Sequence, residues 1–265
     1  MRDRFGREIN YLRISVTDRC NLRCSYCVPE EGLPFVPARK ILTFEEIVAI
    51  VQAASRLGIN KVRLTGGEPL LRRDIVKLVC MLSKIDGILD LALTTNGILL
   101  ANLVLDLKKA GLKRVNVSLD SILPEKFQLI TRGGDVNTVF LGIDKALEAG
   151  LAVKINCVVE ESPDEEDAML VKKYADKKHL PVQFVRNMNF SKGQFHKVWG
   201  GRGGDCKNCN RLRLLSDGSI MPCLFSDLSF NTEKLGIEEA ITTAILQKPE
   251  RGLPCKRQWM CAVGG

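Results

Sequence analysis

The sequence predicts an α/β protein built on a parallel sheet. From residue 9 to residue 188, short runs rich in Val, Ile and Leu alternate with longer amphipathic runs. That order is the one produced by parallel strands joined through right-handed helical crossovers. Glycines fall just past the ends of several amphipathic runs, where a left-handed residue closes a helix. A chain of 265 residues with 45% hydrophobic content has enough apolar material for one substantial core, or one core and a small appended module.

The strands are expected at 9–17, 61–65, 90–95, 114–120, 152–159 and 182–188. The helices are expected at about 43–57, 74–84, 101–110, 123–131, 137–149 and 164–178. Thr43 followed by Glu46 reads as a capping box for the first helix. Periodicity alone fits a doubly wound sheet and a β/α barrel equally well. In both, function gathers at the C-terminal ends of the strands. The polar and glycine-rich segments lie there: a cysteine loop after the first strand, then TGGEP from Thr65, TTNG from Thr94 and SLDS from Ser118. Residues 189–205 are rich in Gly and basic residues without clear periodicity and read as a linker. The boundaries expected are therefore 1–188, 189–205 and 206–265.

Composition narrows the class. A charged fraction of 26% excludes bulk disorder. The charged start MRDRFGREIN is no secretory signal, and no stretch approaches the roughly 18 apolar residues that span a bilayer. A cytoplasmic protein without membrane attachment is expected. The net charge of +8 reflects a solvated basic surface or an anionic ligand. With 6% aromatic residues and no long Lys/Arg run, a nucleic-acid surface is not expected. Ten cysteines in a reducing compartment point to metal or cluster ligation rather than disulfides.

Cys20, Cys24 and Cys27 lie in DRCNLRCSYC with the spacing C-x3-C-x2-C. Three thiolates on one loop can hold three irons of a 4Fe-4S cluster, which ordinarily takes four cysteines. The fourth iron is then open, and S-adenosylmethionine (SAM) can chelate it through its amino and carboxylate groups. The alternatives are a zinc site or inert buried thiols, although zinc knuckles pair such cysteines with a second ligand pair and none is near in sequence. The spacing, with aromatic Tyr26 before the last cysteine and a GGEP segment after the second strand, resembles the radical SAM superfamily.

Cys206, Cys209 and Cys223 form a second set, C-x2-C-x13-C, set in CNRLRLLSDGSIMPCLF. By spacing alone, Cys255 or Cys261 could complete a tetrahedral zinc site here. The segment, with the terminal Gly264–Gly265, is similar to the C-terminal motif of the MoaA family of GTP 3′,8-cyclases. The resemblance implies an α/β fold of partial (β/α)6 TIM-type barrel with a C-terminal iron–sulfur module. It implies two 4Fe-4S clusters, on Cys20, Cys24 and Cys27 and on Cys206, Cys209 and Cys223. SAM would contact Tyr26, Gly67, Ser118 and Met188. GTP would contact Arg13, Arg63, Thr94, Lys154, Arg211, Leu212 and Arg213, with Arg13, Arg211 and Arg213 in catalytic roles.

The implied reaction is abstraction of the ribose 3′ hydrogen by a 5′-deoxyadenosyl radical, attack of the carbon radical on guanine C8, and reduction of the resulting radical. This belongs to molybdenum cofactor biosynthesis. The resemblance also implies a reductant such as flavodoxin or ferredoxin, and leaves room for a homodimer and for handover to a MoaC-type cyclic pyranopterin synthase.

The residues themselves agree in part. Arg13, Arg63 and Lys154 sit in three separate strands, where a buried charge is costly unless an anion meets it; a triphosphate would do so. Arg211 and Arg213 face one side if their segment is extended. The chain departs from the family in having only 17 residues between Met188 and Cys206, in Arg186 where an acid is usual, and in Cys255 and Cys261 near its end. Two other readings compete. One is a radical SAM enzyme that modifies a peptide with an auxiliary cluster. The other is a non-catalytic zinc or iron–sulfur binding protein.

Overall fold

The computed structural model describes residues 1–32, 34–193 and 196–256. Six parallel strands lie side by side in chain order: β1 (Tyr11–Ser15), β2 (Lys61–Thr65), β3 (Asp90–Thr95), β4 (Arg114–Ser118), β5 (Ala152–Val159) and β6 (Val182–Arg186). Between them run α1 (Phe44–Arg56), α2 (Ile75–Ser83), α3 (Leu100–Lys109), α4 (Pro124–Thr131), α5 (Val136–Glu148) and α6 (Glu166–Lys177). A doubly wound sheet reverses its strand order at a switch point. No reversal occurs here, so successive right-handed crossovers place the helices on one face. This is the barrel-type arrangement, left open because β6 and the far strand of the sheet do not pair.

Local sequence accounts for the elements. Thr43 Oγ1 accepts from Glu46 N, and the Glu46 carboxylate accepts from Thr43 N, closing the capping box of α1. Ile47, Ile50, Val51 and Ala54 then recur at helical spacing on the buried face. The strands bury alternate positions. Leu12, Ile14, Val62, Leu64, Leu93, Val115, Val117 and Ile155 are at most 1% exposed and form the core beneath the helices.

The C-terminal part continues the same sheet. The strand β7 (Arg211–Leu214) pairs parallel with β1, placing Arg213 opposite Arg13. The strands β8 (Ser219–Met221) and β9 (Phe230–Asn231) follow antiparallel. After them come the short α7 (Thr232–Leu235) and then α8 (Ile237–Leu246), whose Ile241, Ala244 and Ile245 join the main core. The stretch read as a linker is tied down at two points. Phe190 is buried in a small cluster with Met221, Leu224, Phe225 and Cys255, and Trp199 exchanges backbone hydrogen bonds with Phe184 of β6. Among the described residues no helix is long and apolar enough to cross a membrane.

Strand register fixes what the other face carries. Arg213, Arg13 and Arg63 are direct neighbours on β7, β1 and β2, and Thr94, Asn116 and Lys154 are neighbours on β3, β4 and β5. The sheet therefore has an apolar, helix-covered face and a polar, strongly cationic one. Leu64→Ala, on the covered face, is expected to lower unfolding free energy by about 2–5 kcal/mol. Arg63→Met, one residue earlier on the opposite face, is expected not to lower the stability of the ligand-free protein, because it removes one of several like charges. Urea unfolding of the two variants checks both.

Candidate active site

The first cysteine loop leaves β1 and is clamped by its neighbours. Gly67 N donates to Thr17 O at 2.8 Å and Glu68 N to Arg19 O at 2.8 Å. A Cβ at Gly67 would stand 2.2 Å from Arg19 O, so only glycine allows this approach. On the far side, Arg23 N and Ser25 N donate to Thr131 O and Ile130 O at the end of α4. The TGGEP segment thus shapes the cysteine loop directly. Glu68, 1% exposed, ties it to the next strand end by accepting from Thr95 Oγ1 at 2.8 Å, Asn96 N at 2.7 Å and Leu70 N at 3.0 Å. Burial pushes its carboxyl up to about 7 against the pull of those three bonds. Asn96 Nδ2 in turn reaches Asn21 Oδ1 at 2.8 Å and Cys20 Sγ at 3.8 Å.

Cys20, Cys24 and Cys27 are each half-buried on this loop. Burial raises the thiols of Cys20 and Cys24, that of Cys24 to about 12, and the charges around them, Glu68 and Asp120, push the same way. Tyr26, between Cys24 and Cys27, donates to Asp120 Oδ2 at 2.6 Å, while Asp120 Oδ1 accepts from Val158 N at 2.8 Å. Thiolates here therefore need a strong cationic partner. Among the described residues no three of His, Cys, Asp or Glu are placed around a single ion. In a cubane each thiolate binds a different iron, so its sulfurs stand farther apart than around one zinc; the donor set fits a cluster.

The cationic face begins beside this loop. Arg213 is buried and Arg13 half-buried; burial depresses the Arg13 guanidinium, with Arg213 next in effect, and burial brings Arg213 down to about 10. Burial also lowers Arg63, whose Nε lacks a hydrogen-bond partner. Its Nη1 lies 3.5 Å from Thr94 Oγ1. Tyr11 is flanked by Arg63 and Arg211, with guanidinium carbons 5.8 and 5.9 Å from the ring centre. Asp90, the strand carboxylate on this face, is held by Arg114 at 2.6 and 2.9 Å. Lys154 donates to Gly200 O at 2.9 Å. Asn116, 2% exposed, donates to Asn156 Oδ1 at 3.1 Å and keeps its own Oδ1 unpaired. Such a surface could accept an anion with many oxygens.

The second set is brought together around one small cavity, which Cys206, Cys209, Cys223, Arg211, Arg213 and Lys248 line. Here the surroundings are cationic. Burial alone would raise Cys209, but Lys248 and Arg211 outweigh it and its pKa is lowered; Cys223 is raised by burial, partly offset by Lys248. Cys255 stays in the adjacent apolar cluster with its thiol donating to Phe190 O, so it is not presented to the cavity as a fourth ligand. Cys261 and Gly264–Gly265 lie outside the described residues.

Residues 14–187 match the Radical SAM superfamily. The chain is 39% identical to the GTP 3′,8-cyclase of Alkaliphilus oremlandii over 95% of its length and 94% of the relative. It is 41% identical to that of Clostridium botulinum strain Hall over 92% and 91%. This chain belongs to the radical SAM superfamily and, within it, to the GTP 3′,8-cyclase family. The first of these alignments spans 302 positions against a chain of 265, so that family member carries segments this one lacks. Among solved structures, Streptococcus suis SuiB bound to precursor peptide SuiA superposes with a TM-score of 0.67 at 14% identity, covering 92% of this chain and 66% of that one. Native anSMEcpe with bound AdoMet gives 0.66 at 18% identity, covering 91% and 81%. At these identities the likeness is one of fold.

The structure thus gathers Arg13, Arg63, Arg213, Thr94 and Lys154 on one face, with Arg211 beside Tyr11. Ser118 ends β4 on the same face, next to Asn156. Two of the expected contacts stand apart. Leu212 is fully buried in the main core, so only its backbone can meet a ligand, and Met188 packs against the small apolar cluster under the second cysteines. Sequence reasoning missed Tyr11, Asn116 and Asn156, which alternation with Arg13, Ser118 and Lys154 could have flagged. It also missed Lys248 and Arg7, for which no local pattern exists.

Gly67→Ala forces the Arg19 backbone aside. It is expected to cost about 1–3 kcal/mol of stability and to reduce iron uptake at the first cysteine set, read by urea unfolding and iron analysis after anaerobic reconstitution.

Proposed function

We propose that this chain is a GTP 3′,8-cyclase, converting GTP to (8S)-3′,8-cyclo-7,8-dihydroguanosine 5′-triphosphate for molybdenum cofactor biosynthesis. The observation that carries the reading is the position of Arg213. It lines the cavity of the second cysteine set and is the strand neighbour of Arg13, which neighbours Arg63 in turn. One continuous cationic row therefore starts at one set of thiols and runs along the sheet face whose C-terminal edge carries the other.

Cys20, Cys24 and Cys27 would hold a 4Fe-4S cluster with one open iron, and Cys206, Cys209 and Cys223 a second. With SAM bound there, that cluster would supply one-electron reductive cleavage of the sulfonium, the source of the radical chemistry. The chain's own groups do the rest of the positioning. Arg13, Arg63 and Lys154 meet phosphate oxygens, and the anion relieves the mutual repulsion of the half-buried guanidiniums. Thr94, already within reach of Arg63, orients the nucleotide. Arg211 and Arg213, with the Leu212 backbone between them, present the guanine to the second thiol set. Tyr26 and Gly67 in strand-end loops and Ser118 at the end of β4 surround the SAM position, whereas Met188, packed under the second cysteines, would have to move to reach it. Holding the ribose 3′ carbon near the SAM 5′ carbon and excluding water is the protein's share of the rate. An external one-electron donor of the flavodoxin or ferredoxin type completes the cycle in a reducing cytoplasm, and a MoaC-type synthase takes the product.

Anaerobic reconstitution should give about eight irons per chain, and GTP with SAM should yield 5′-deoxyadenosine and a cyclised nucleotide. Arg213→Ala should weaken GTP binding about 10- to 100-fold, the range for a lost charge-assisted contact, and suppress cyclisation. Deoxyadenosine without any cyclised nucleotide in the parent protein would sink the reading.

A further inference from the structure

Lys248 follows α8 and is 1% exposed. Its ammonium donates to Arg211 O at 2.7 Å and to Pro222 O, and lines the same small cavity as Cys206, Cys209 and Cys223. Arg211 stands two residues after Cys209 and Pro222 one before Cys223, so one ammonium joins both limbs that carry these thiols. Arg7 makes an instructive contrast. It also braces the site, donating to Cys206 O at 2.7 Å, Pro249 O at 2.7 Å and Glu250 O at 2.9 Å. Its charge, however, is met by Asp3 at 2.7 Å. Among the described residues no carboxylate meets Lys248, and the carbonyls that it bonds are neutral. Leaving a buried charge uncompensated costs several kcal/mol. The anions within its reach are the cysteines lining the same cavity.

We propose that Lys248 is a positioning residue whose fixed positive charge compensates the thiolate-bound cluster on Cys206, Cys209 and Cys223 and raises that cluster's reduction potential. This rests on the second-cluster reading above. Adding an electron makes a cluster more negative, and a buried cation beside it favours that state; charge and hydrogen bonding around the sulfurs are the levers that set such potentials. The first thiol set lies instead near Glu68 and Asp120, whose negative charges act on Cys20 and Cys24 in the opposite sense. The two centres would therefore differ in potential, the second being the better electron acceptor.

The test uses the full chain with Cys20, Cys24 and Cys27 replaced by alanine, reconstituted anaerobically, so that only the second centre is observed. Iron content, urea midpoint and a redox titration followed by electron paramagnetic resonance are compared for Lys248, K248Q and K248R. K248Q keeps a hydrogen-bond donor without the charge, and K248R keeps the charge. The expected result is about four irons per chain in the parent and, in K248Q, a reduced-to-oxidised ratio about tenfold lower at the parent's midpoint potential, equivalent to a shift of 59 mV for one electron. K248R should stay within about twofold. If K248Q fails to hold iron while its urea midpoint matches the parent, recovery of iron in K248R supports the same role and no recovery overturns it. An unchanged ratio in K248Q, or an equal shift in K248R, overturns the proposal alone. A parent that takes up no cluster overturns the second-cluster reading and the proposal together.

Discussion

Crowding several half-buried or buried cations on one face of a sheet is the constraint around which this molecule is organised. Six strands laid down in chain order put the crossover helices on one side. The other side is left to alternate residues that need not be apolar. Arg213, Arg13 and Arg63 sit abreast there on neighbouring strands, spaced by the roughly 4.8 Å of strand pairing. Such a row is unfavourable by itself, since desolvation and mutual repulsion both oppose it. It persists because the opposite face supplies a continuous aliphatic core and because an anionic ligand can repay the repulsion. The site is thus stabilised by the fold and completed by what it binds.

The same logic separates the two cysteine sets. Burial pushes the thiols of Cys20 and Cys24 up, and the nearby carboxyl groups of Glu68 and Asp120 add to it. Cys206, Cys209 and Cys223 lie among Lys248, Arg211 and Arg213, and Cys209 is pulled down. The two sets of thiols therefore sit in electrostatic surroundings of opposite sign. The two are built on one sheet because β7 pairs directly with β1, so the C-terminal segment is an extension of the catalytic face.

Much of this was legible in the sequence, for identifiable reasons. The helices α1–α6 and the strands β1–β6 were located within a few residues, because hydrophobic periodicity and the Thr43–Glu46 cap are local signals. Choosing between two windings was not possible, because strand order is a tertiary fact that spacing does not encode. The cysteine sets were legible because thiols at short spacing have few other uses. What TGGEP does was legible only in part: Gly67 packs against Arg19, a contact between segments about fifty residues apart. Lys248 was invisible, since a lysine after a helix ordinarily lies in solvent, and the carbonyls that hold it, those of Arg211 and Pro222, lie far from it in sequence. The register that aligns Arg213 with Arg13 was equally hidden, although the alternation of Arg211 and Arg213 hinted at a strand.

The most direct test of the cationic row is the dependence of affinity on phosphate number, measured calorimetrically on the anaerobic holoprotein with GTP, GDP, GMP and guanosine. The account predicts that binding weakens at each phosphate removed and that the difference between GTP and guanosine shrinks as salt is raised. Guanosine binding as tightly as GTP, with no response to ionic strength, would contradict it.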